Sequence, residues 1–153
     1  MLRPAALTAL FFALTLSGGA PAMAQLSIPV HGNWCGPGHG AGPALDALDA
    51  ACLRHDLCIR AAGGPFNCAC DPAFMDELRR QPWPNPVLQS RARGVFEAIT
   101  LIPCADPVGQ AMKMEWAARD WMGAVLSGRE LPSETFTRFM RMMSEAMARG
   151  TIR

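Results

Sequence analysis

Six cysteines constrain this chain of 153 residues more than any other feature of its sequence. They are Cys35, Cys52, Cys58, Cys68, Cys70 and Cys104. An even number of cysteines in an exported chain is typical of a disulfide framework. Zinc is the alternative, because thiolates and an imidazole between them are soft ligands, but the spacings match no common zinc module. We therefore expect three disulfides.

The first 24 residues have the pattern of an export signal. Arg3 precedes an apolar stretch, residues 5–16, that is too short to span a bilayer, and Ala22-Met23-Ala24 is a typical cleavage site. A membrane anchor is the alternative, and the short run and the cleavage pattern disfavour it. We expect residues 1–24 to be a signal peptide and the mature chain to begin at Gln25. The protein should then be secreted or periplasmic.

The mature chain is short and electrically balanced. Cleavage removes one Arg from 14 basic residues and leaves 13 against 13 acidic ones, with no basic tract, so nothing supports nucleic-acid binding. About 129 residues suit one domain with one core. We predict a single domain over residues 25–153, with a core of residues 25–104 and a C-terminal helical extension of residues 105–153. We expect a monomer.

Apolar periodicity and helix breakers predict an all-α fold without a clear strand. Residues 25–43 are rich in Gly and Pro and should form a loop. Ser133, after Pro132, has the character of an N-cap. Helices are predicted over residues 44–62, 67–80, 87–102 and 108–126, and from about residue 133 onwards.

One face of the first predicted helix carries an unusual mixture of side chains. Its members are Leu45, Leu48, Cys52, His55, Asp56 and Ile59. A buried carboxylate is costly unless a cation compensates it, so Asp56 requires a partner. Ca²⁺ suits a carboxylate combined with backbone carbonyls, and the glycines of residues 34–38 let a loop turn its carbonyls inward.

The first two helices can be docked as an antiparallel hairpin about Gly64. Cys58 then faces Cys70, and Asp71 lies at the level of His55. An imidazole needs one nitrogen fixed if the other is to take a proton, and Asp71 is the better group to fix it. Asp56 points about 100° around the helix and is free to bind a cation.

Three segments within residues 33–76 resemble the secreted phospholipase A2 family. Trp34-Cys35-Gly36-Pro37-Gly38 resembles the calcium-binding loop, in its bee-venom type. The segment Asp49-Ala50-Ala51-Cys52-Leu53-Arg54-His55-Asp56-Leu57-Cys58 resembles the active-site helix. Cys68-Ala69-Cys70-Asp71 is similar to the C-x-C-D motif on the following helix, whereas residues 77–153 carry no resemblance.

The resemblance implies an activity and a site. His55 would be the general base, Asp71 its orienting partner, and the Gly36 N–H a donor to the oxyanion. The implied Ca²⁺ ligands are the Asp56 carboxylate and the backbone carbonyls of Trp34, Gly36 and Gly38. The reaction would be hydrolysis of the sn-2 ester of glycerophospholipids at a membrane or micelle surface. Beside this resemblance we predict the disulfides Cys35–Cys52, Cys58–Cys70 and Cys68–Cys104.

Two features depart from the family or lie beyond it. Ile59 stands where a tyrosine usually supports the catalytic Asp, and the chain has no Tyr at all, so we expect a smaller hydrogen-bond network. The last helix has an apolar stripe that can serve as a docking face or a membrane contact. The stripe consists of Phe136, Phe139, Met140, Met143 and Met147.

Two other functions remain open. One is a non-catalytic phospholipase A2-like binding protein or toxin that acts on a lipid or protein partner. The other is a disulfide-stapled interaction protein whose Met-rich C-terminal half binds a partner. Loss of His55 or Asp56 would be the usual sign of a non-catalytic relative, and both residues are present.

Overall fold

The computed structural model describes residues 26–152, with side chains for residues 27–150. The predicted signal peptide lies outside the described residues. The elements are, in chain order, β1 (Leu26–Ser27), α1 (Ala47–Ala61), a 3-10 turn (Cys68–Cys70), α2 (Asp71–Arg80), α3 (Pro86–Leu101), α4 (Pro107–Leu126), α5 (Glu134–Arg149) and β2 (Thr151–Ile152).

The fold is all-α and contains three disulfides, as predicted. The described part has one two-residue antiparallel ladder, between β1 and β2, in which Leu26 pairs with Ile152, and one isolated antiparallel bridge between His31 and Cys35. The ladder was not predicted, because two residues are too few to show an alternating pattern. In the part of the chain that the structure describes, no helix is long and apolar enough to cross a membrane.

Short polar side chains determine where several helices begin. Asp46 accepts hydrogen bonds from the N–H groups of Leu48 and Asp49, so α1 begins at Ala47 and not at residue 44 as predicted. Asn85 and Asp106 cap α3 and α4 in the same way, each followed by a proline in the first turn. The prediction for Ser133 was wrong in one respect, because its side chain makes no capping hydrogen bond to α5.

Helix α3 lies at the centre of the molecule and packs against α2, α4 and α5. Its buried side chains join those of α1 and α2 in a single apolar core that also includes part of α5. The core includes Leu48, Phe74, Met75, Leu78, Ala92, Phe96 and Met142. Helix α3 therefore connects the two site-bearing helices to the C-terminal helices.

The three predicted disulfide pairings are confirmed. Cys35–Cys52 joins the N-terminal loop to α1, and Cys58–Cys70 joins α1 to the turn before α2. Cys68–Cys104 closes a sequence separation of 36 residues and joins that turn to the segment between α3 and α4. The segments that carry the candidate site are thus cross-linked to one another and to the C-terminal half.

Helix α5 docks on the core through a face beside the predicted stripe, and of the stripe itself Phe139 packs against the core. Its buried residues are Arg138, Met142 and Ala146, whereas Phe136 and Met147 are each about two-thirds exposed. Arg138 is buried because it forms ion pairs with Glu97 of α3 and with Glu130. The docking face is therefore centred on Arg138 and Met142, and the prediction of the stripe as the docking face holds only in part.

Candidate active site

The structure brings His55 and Asp71 into direct contact. Nε2 of His55 lies 2.9 Å from Oδ1 of Asp71, and only 10% and 6% of the two side chains are exposed. Asp71 is the first residue of α2 and follows Cys70, whose disulfide to Cys58 fixes α1 against this helix. The spacing of three residues between His55 and Cys58 sets both groups on neighbouring turns of α1.

The imidazole of His55 is also held from one side by an aromatic ring. Phe74 stacks on it with ring centroids 4.3 Å apart and an angle of 16° between the planes. Phe74 is one turn along α2 from Asp71, so a single helix turn supplies both contacts. Nδ1 of His55 has no hydrogen-bond partner among the described residues and is available to another group.

Asp71 has a second partner that the sequence analysis missed. Nζ of Lys113, on α4, lies 2.6 Å from Oδ2 of Asp71 and 2.8 Å from the carbonyl oxygen of Ile102. Burial acts to raise the pKa of Asp71, but the hydrogen bonds from His55 and Lys113 outweigh it and hold the pKa below its usual range.

A signal for Lys113 existed in the sequence. The helix period places Lys113 on the same face of α4 as Gly109 and Ala124, which are small residues that pack inward. A lysine among inward-facing small residues indicates a buried cation that must meet an acceptor. Its partner could not be read from the pattern, because Asp71 lies 42 residues away in the chain.

Asp56 is half-buried and has no hydrogen bond or ion pair within residues 26–152. Burial raises the pKa of its carboxyl group above the usual range, and the nearby basic groups of His55, Arg60 and His39 oppose this shift without outweighing it. A Cβ atom added to Gly40 would lie 3.3 Å from Oδ2 of Asp56, so the loop passes directly over the carboxylate.

The loop before α1 is fixed by a second buried carboxylate that the sequence analysis missed. Asp49 is fully buried and accepts hydrogen bonds from the backbone N–H groups of Asn33, Trp34 and Leu45, at 2.9, 2.7 and 2.9 Å. The sequence signal was its position, three residues before Cys52 on the inward face of α1. Asp49 therefore anchors the loop, and Asp56 remains the carboxylate without a partner.

Gly36 is required by a close approach within the loop. Its φ is 137°, and a Cβ atom there would lie 2.0 Å from the carbonyl oxygen of Ile28. The carbonyl of Gly36 accepts a hydrogen bond from the N–H of His39 at 3.2 Å. Among residues 26–152, the Gly36 N–H and the Trp34 carbonyl have no hydrogen-bond partner.

One cavity of about 250 Å³ collects most of the predicted site residues. Its polar wall includes Trp34, Gly36, His55, Asp56 and Asp71, whereas Gly38 does not line it. Its apolar wall is formed mainly by Phe74 of α2 and by Val95, Ala98 and Ile99 of α3, with Ile102 just beyond that helix. The cavity thus combines a histidine–carboxylate pair and a second carboxylate with an apolar surface.

The donor set of this cavity fits a cation that prefers oxygen ligands. The described residues contain no group of three or more His, Cys, Asp or Glu side chains that could hold a metal ion. Asp56 is a single carboxylate, and its potential co-ligands are backbone carbonyls, which such a group does not include. An unpartnered half-buried carboxylate beside a loop of carbonyls is the type of donor set that Ca²⁺ accepts.

Comparison with protein-family models, with curated proteins and with solved structures finds no match for this chain. Function is therefore inferred from the residues of the cavity, their geometry and the motifs that contain them.

Proposed function

We propose that this chain is an exported, calcium-dependent phospholipase A2 that hydrolyses the sn-2 ester of glycerophospholipids. The observation that carries the proposal is the shared cavity. In it, a buried His55–Asp71 pair and the unpartnered carboxylate of Asp56 lie beside an apolar wall. A hydrolase that attacks a lipid ester with water activated by a base and a metal ion requires these three elements together: a base, a site for a cation and a surface for an acyl chain.

His55 would act as the general base. Nε2–H of His55 donates a hydrogen bond to Asp71 and keeps its proton, which leaves the lone pair on Nδ1 to take a proton from a water molecule. That water would attack the ester carbonyl, and His55 would return the proton to the leaving glycerol oxygen. Phe74 stacks on the ring and limits its rotation, so the acceptor nitrogen keeps its direction between the two transfers.

Three groups that line the cavity would hold Ca²⁺, namely the Asp56 carboxylate and the backbone carbonyls of Trp34 and Gly36, and the Gly38 carbonyl, outside the cavity lining, would be the fourth. When bound, Ca²⁺ supplies a Lewis acid for the ester carbonyl and charge compensation for the lipid phosphate. The Gly36 N–H, which has no partner among the described residues, would donate to the developing oxyanion. The disulfide Cys35–Cys52 keeps these backbone groups close to α1.

The apolar wall would hold an acyl chain against the reacting ester. Phe74, Val95, Ile99 and Ile102 line the cavity beside His55. Each CH₂ group that the wall removes from water contributes roughly 0.8 kcal/mol to binding. Three of these four residues lie in α3 or just after it, which is outside the segments that resemble the family.

The direct test is fatty-acid release from a phospholipid that carries different acyl chains at its two positions. We expect release of the sn-2 fatty acid alone in the presence of Ca²⁺, and its loss when a chelator is added. Vesicle binding without release at any Ca²⁺ concentration would contradict the proposal and favour the non-catalytic binding protein.

The chain offers a matched control for the base. His31 forms a similar pair, with Nε2 2.7 Å from Oδ2 of Asp46, but lies outside the cavity. His55→Gln should abolish turnover and leave Ca²⁺ binding largely intact, because the glutamine amide cannot take the proton. His31→Gln should retain turnover. Equal losses in both variants would mean that His55 acts through the fold and not through the chemistry.

A further inference from the structure

Lys113 is a buried cation that none of the proposed catalytic steps requires. Only 1% of its side chain is exposed. Among the described residues its ammonium group has two partners, Oδ2 of Asp71 and the backbone carbonyl oxygen of Ile102. Burial of an ammonium group costs several kcal/mol unless it is paired with good geometry. A buried lysine in this position therefore requires a well-placed carboxylate, and Asp71 provides it.

Lys113 completes the hydrogen bonding of the Asp71 carboxylate. His55 occupies Oδ1 and Lys113 occupies Oδ2, so the carboxylate cannot rotate without breaking one of two buried contacts. The chain has no Tyr, so no phenol can fill this place. Among the described residues, Lys113 is the only side chain other than His55 that bonds to Asp71.

Two contacts fix the position of Lys113. One is made by α4 itself, and the other by the segment that follows α3. One turn before it on α4, Gly109 packs so closely on Cys68 that a Cβ atom there would lie 2.7 Å from the Cβ of Cys68. The second acceptor of Lys113, the carbonyl of Ile102, belongs to a residue that lines the cavity. Helix α4 is thus fixed at the level of Asp71.

We propose that Lys113 is a positioning residue of the site, which holds the Asp71 carboxylate in the orientation that keeps the imidazole proton on Nε2 of His55. This inference rests on the proposed function for its catalytic consequence. Without the ammonium, Asp71 is free to turn or to take a proton, and either change releases Nε2. A fraction of the imidazole would then carry its proton on Nδ1, the nitrogen that must accept a proton from water.

Lys113→Met tests the proposal because methionine keeps most of the side-chain length and removes the charge. We expect kcat to fall on the order of 100-fold, the lower range for a positioned general base, with KM changed by less than about threefold. The matched control is Arg138→Met, which also breaks a buried ion pair, with Glu97 and Glu130, but away from the cavity. It should lower the melting temperature to a similar degree and leave kcat within about twofold of the parent.

A second measurement does not depend on turnover. The ¹⁵N chemical shifts of His55 distinguish a proton on Nε2 from one on Nδ1, and His31→Gln and His39→Gln variants assign the signals. We expect the Nε2–H form in the parent protein and in Arg138→Met, and a mixture of both forms in Lys113→Met. An unchanged pattern in Lys113→Met, with kcat within about twofold of the parent, would overturn the proposal.

A third comparison covers the case in which Lys113→Met fails to fold. In an Asp71→Asn background the ammonium has no carboxylate to hold, so adding Lys113→Met should lower kcat no further. A further loss of about tenfold would show that Lys113 acts on some other group and would contradict the proposal. If the parent protein releases no fatty acid at all, the proposed function fails, and the histidine shifts still decide whether Lys113 sets the tautomer.

Discussion

Asp56 is the residue through which the proposed calcium dependence can be tested most directly. Its carboxylate is half-buried without a partner among the described residues, so Asp56→Lys should place an ammonium where the cation would bind. Both Ca²⁺ binding and turnover should be lost. In the parent protein, Ca²⁺ at 100 times its Kd should stabilise the fold by about 2.7 kcal/mol, and in Asp56→Lys this stabilisation should be absent.

The control for Asp56 is an acidic residue of similar charge outside the cavity. Glu115 is exposed on α4 and, within the described residues, pairs only with Arg119 of the same helix, so Glu115→Lys should bind Ca²⁺ as the parent does. Calorimetric titration and melting curves with and without a chelator measure both variants. Normal calcium-dependent hydrolysis by Asp56→Lys would mean that the cation site is assigned to the wrong residue.

The lowered pKa of Asp71 predicts how the free energy of unfolding changes in acid. Its hydrogen bonds from His55 and Lys113 lower its pKa below the usual value of 3.8. A lowered carboxyl pKa stabilises the folded state at pH values above 3.8, and this contribution is lost as the pH falls from there through the folded-state pKa. Asp71→Asn should therefore be less stable than the parent at pH 6, by roughly 3 kcal/mol.

The difference between the two proteins should become smaller when the pH is lowered through about 4, because only the parent has this ionised carboxylate to lose. Denaturant unfolding at several pH values measures the difference directly, and effects of groups that do not contact Asp71 cancel between the two proteins. Asp76→Asn, which removes an α2 carboxylate from surface ion pairs with Arg79 and Arg80, is the control. A difference for Asp71→Asn that grew in acid would contradict the assignment.

At the scale of whole elements, the packing of α5 favours docking on the core, and a deletion of this helix tests docking against membrane contact. Its buried face of Arg138, Met142 and Ala146 packs on the core, and Nη2 of Arg149 donates to the carbonyl of Val30 at 3.0 Å. Deletion of residues 132–153 should therefore remove about 3 kcal/mol of stability and lower the melting temperature by roughly 10 °C. Hydrolysis of vesicles and of a soluble short-chain lipid should fall together.

The exposed members of the α5 stripe can be tested without removing the helix. Phe136→Ser combined with Met140→Gln changes two exposed side chains and should leave the melting temperature unchanged. Loss of vesicle hydrolysis alone in this variant would support membrane contact through the stripe. A deletion of residues 132–153 that changed neither activity nor stability would instead show that the helix is dispensable, contrary to its observed packing.

At the scale of the whole molecule, the bridge between Cys68 and Cys104 connects the two halves of the fold. It closes a separation of 36 residues, for which the chain-entropy model gives a stabilisation of about 4 kcal/mol. Replacement of both cysteines by serine should lower the denaturant midpoint accordingly. Activity should also fall, because the segment with Ile102 holds the second acceptor of Lys113. Non-reducing peptide mapping measures the pairing itself, and a free Cys104 would contradict it.

Much of the architecture follows from local physical chemistry. The helix ends are set by breakers and by capping side chains such as Asp46 and Asn85, which act within three residues of their partners. The meeting of His55 with Asp71 was predicted from an antiparallel hairpin about Gly64, and the Cys58–Cys70 disulfide holds the two segments together. Even here, the exact start of α1 was missed by three residues, because periodicity does not locate a cap.

Only the tertiary structure decided which faces of the C-terminal helices turn inward. An amphipathic pattern gives the period of a helix. Which face is buried and which is exposed depends on the side chains of the neighbouring helices. Arg138 turns inward because Glu97 and Glu130 form ion pairs with it there, and Lys113 turns inward because Asp71 and the Ile102 carbonyl accept hydrogen bonds from its ammonium group. Burial of a charge depends on a partner that is distant in sequence, and the period of the helix cannot identify that partner.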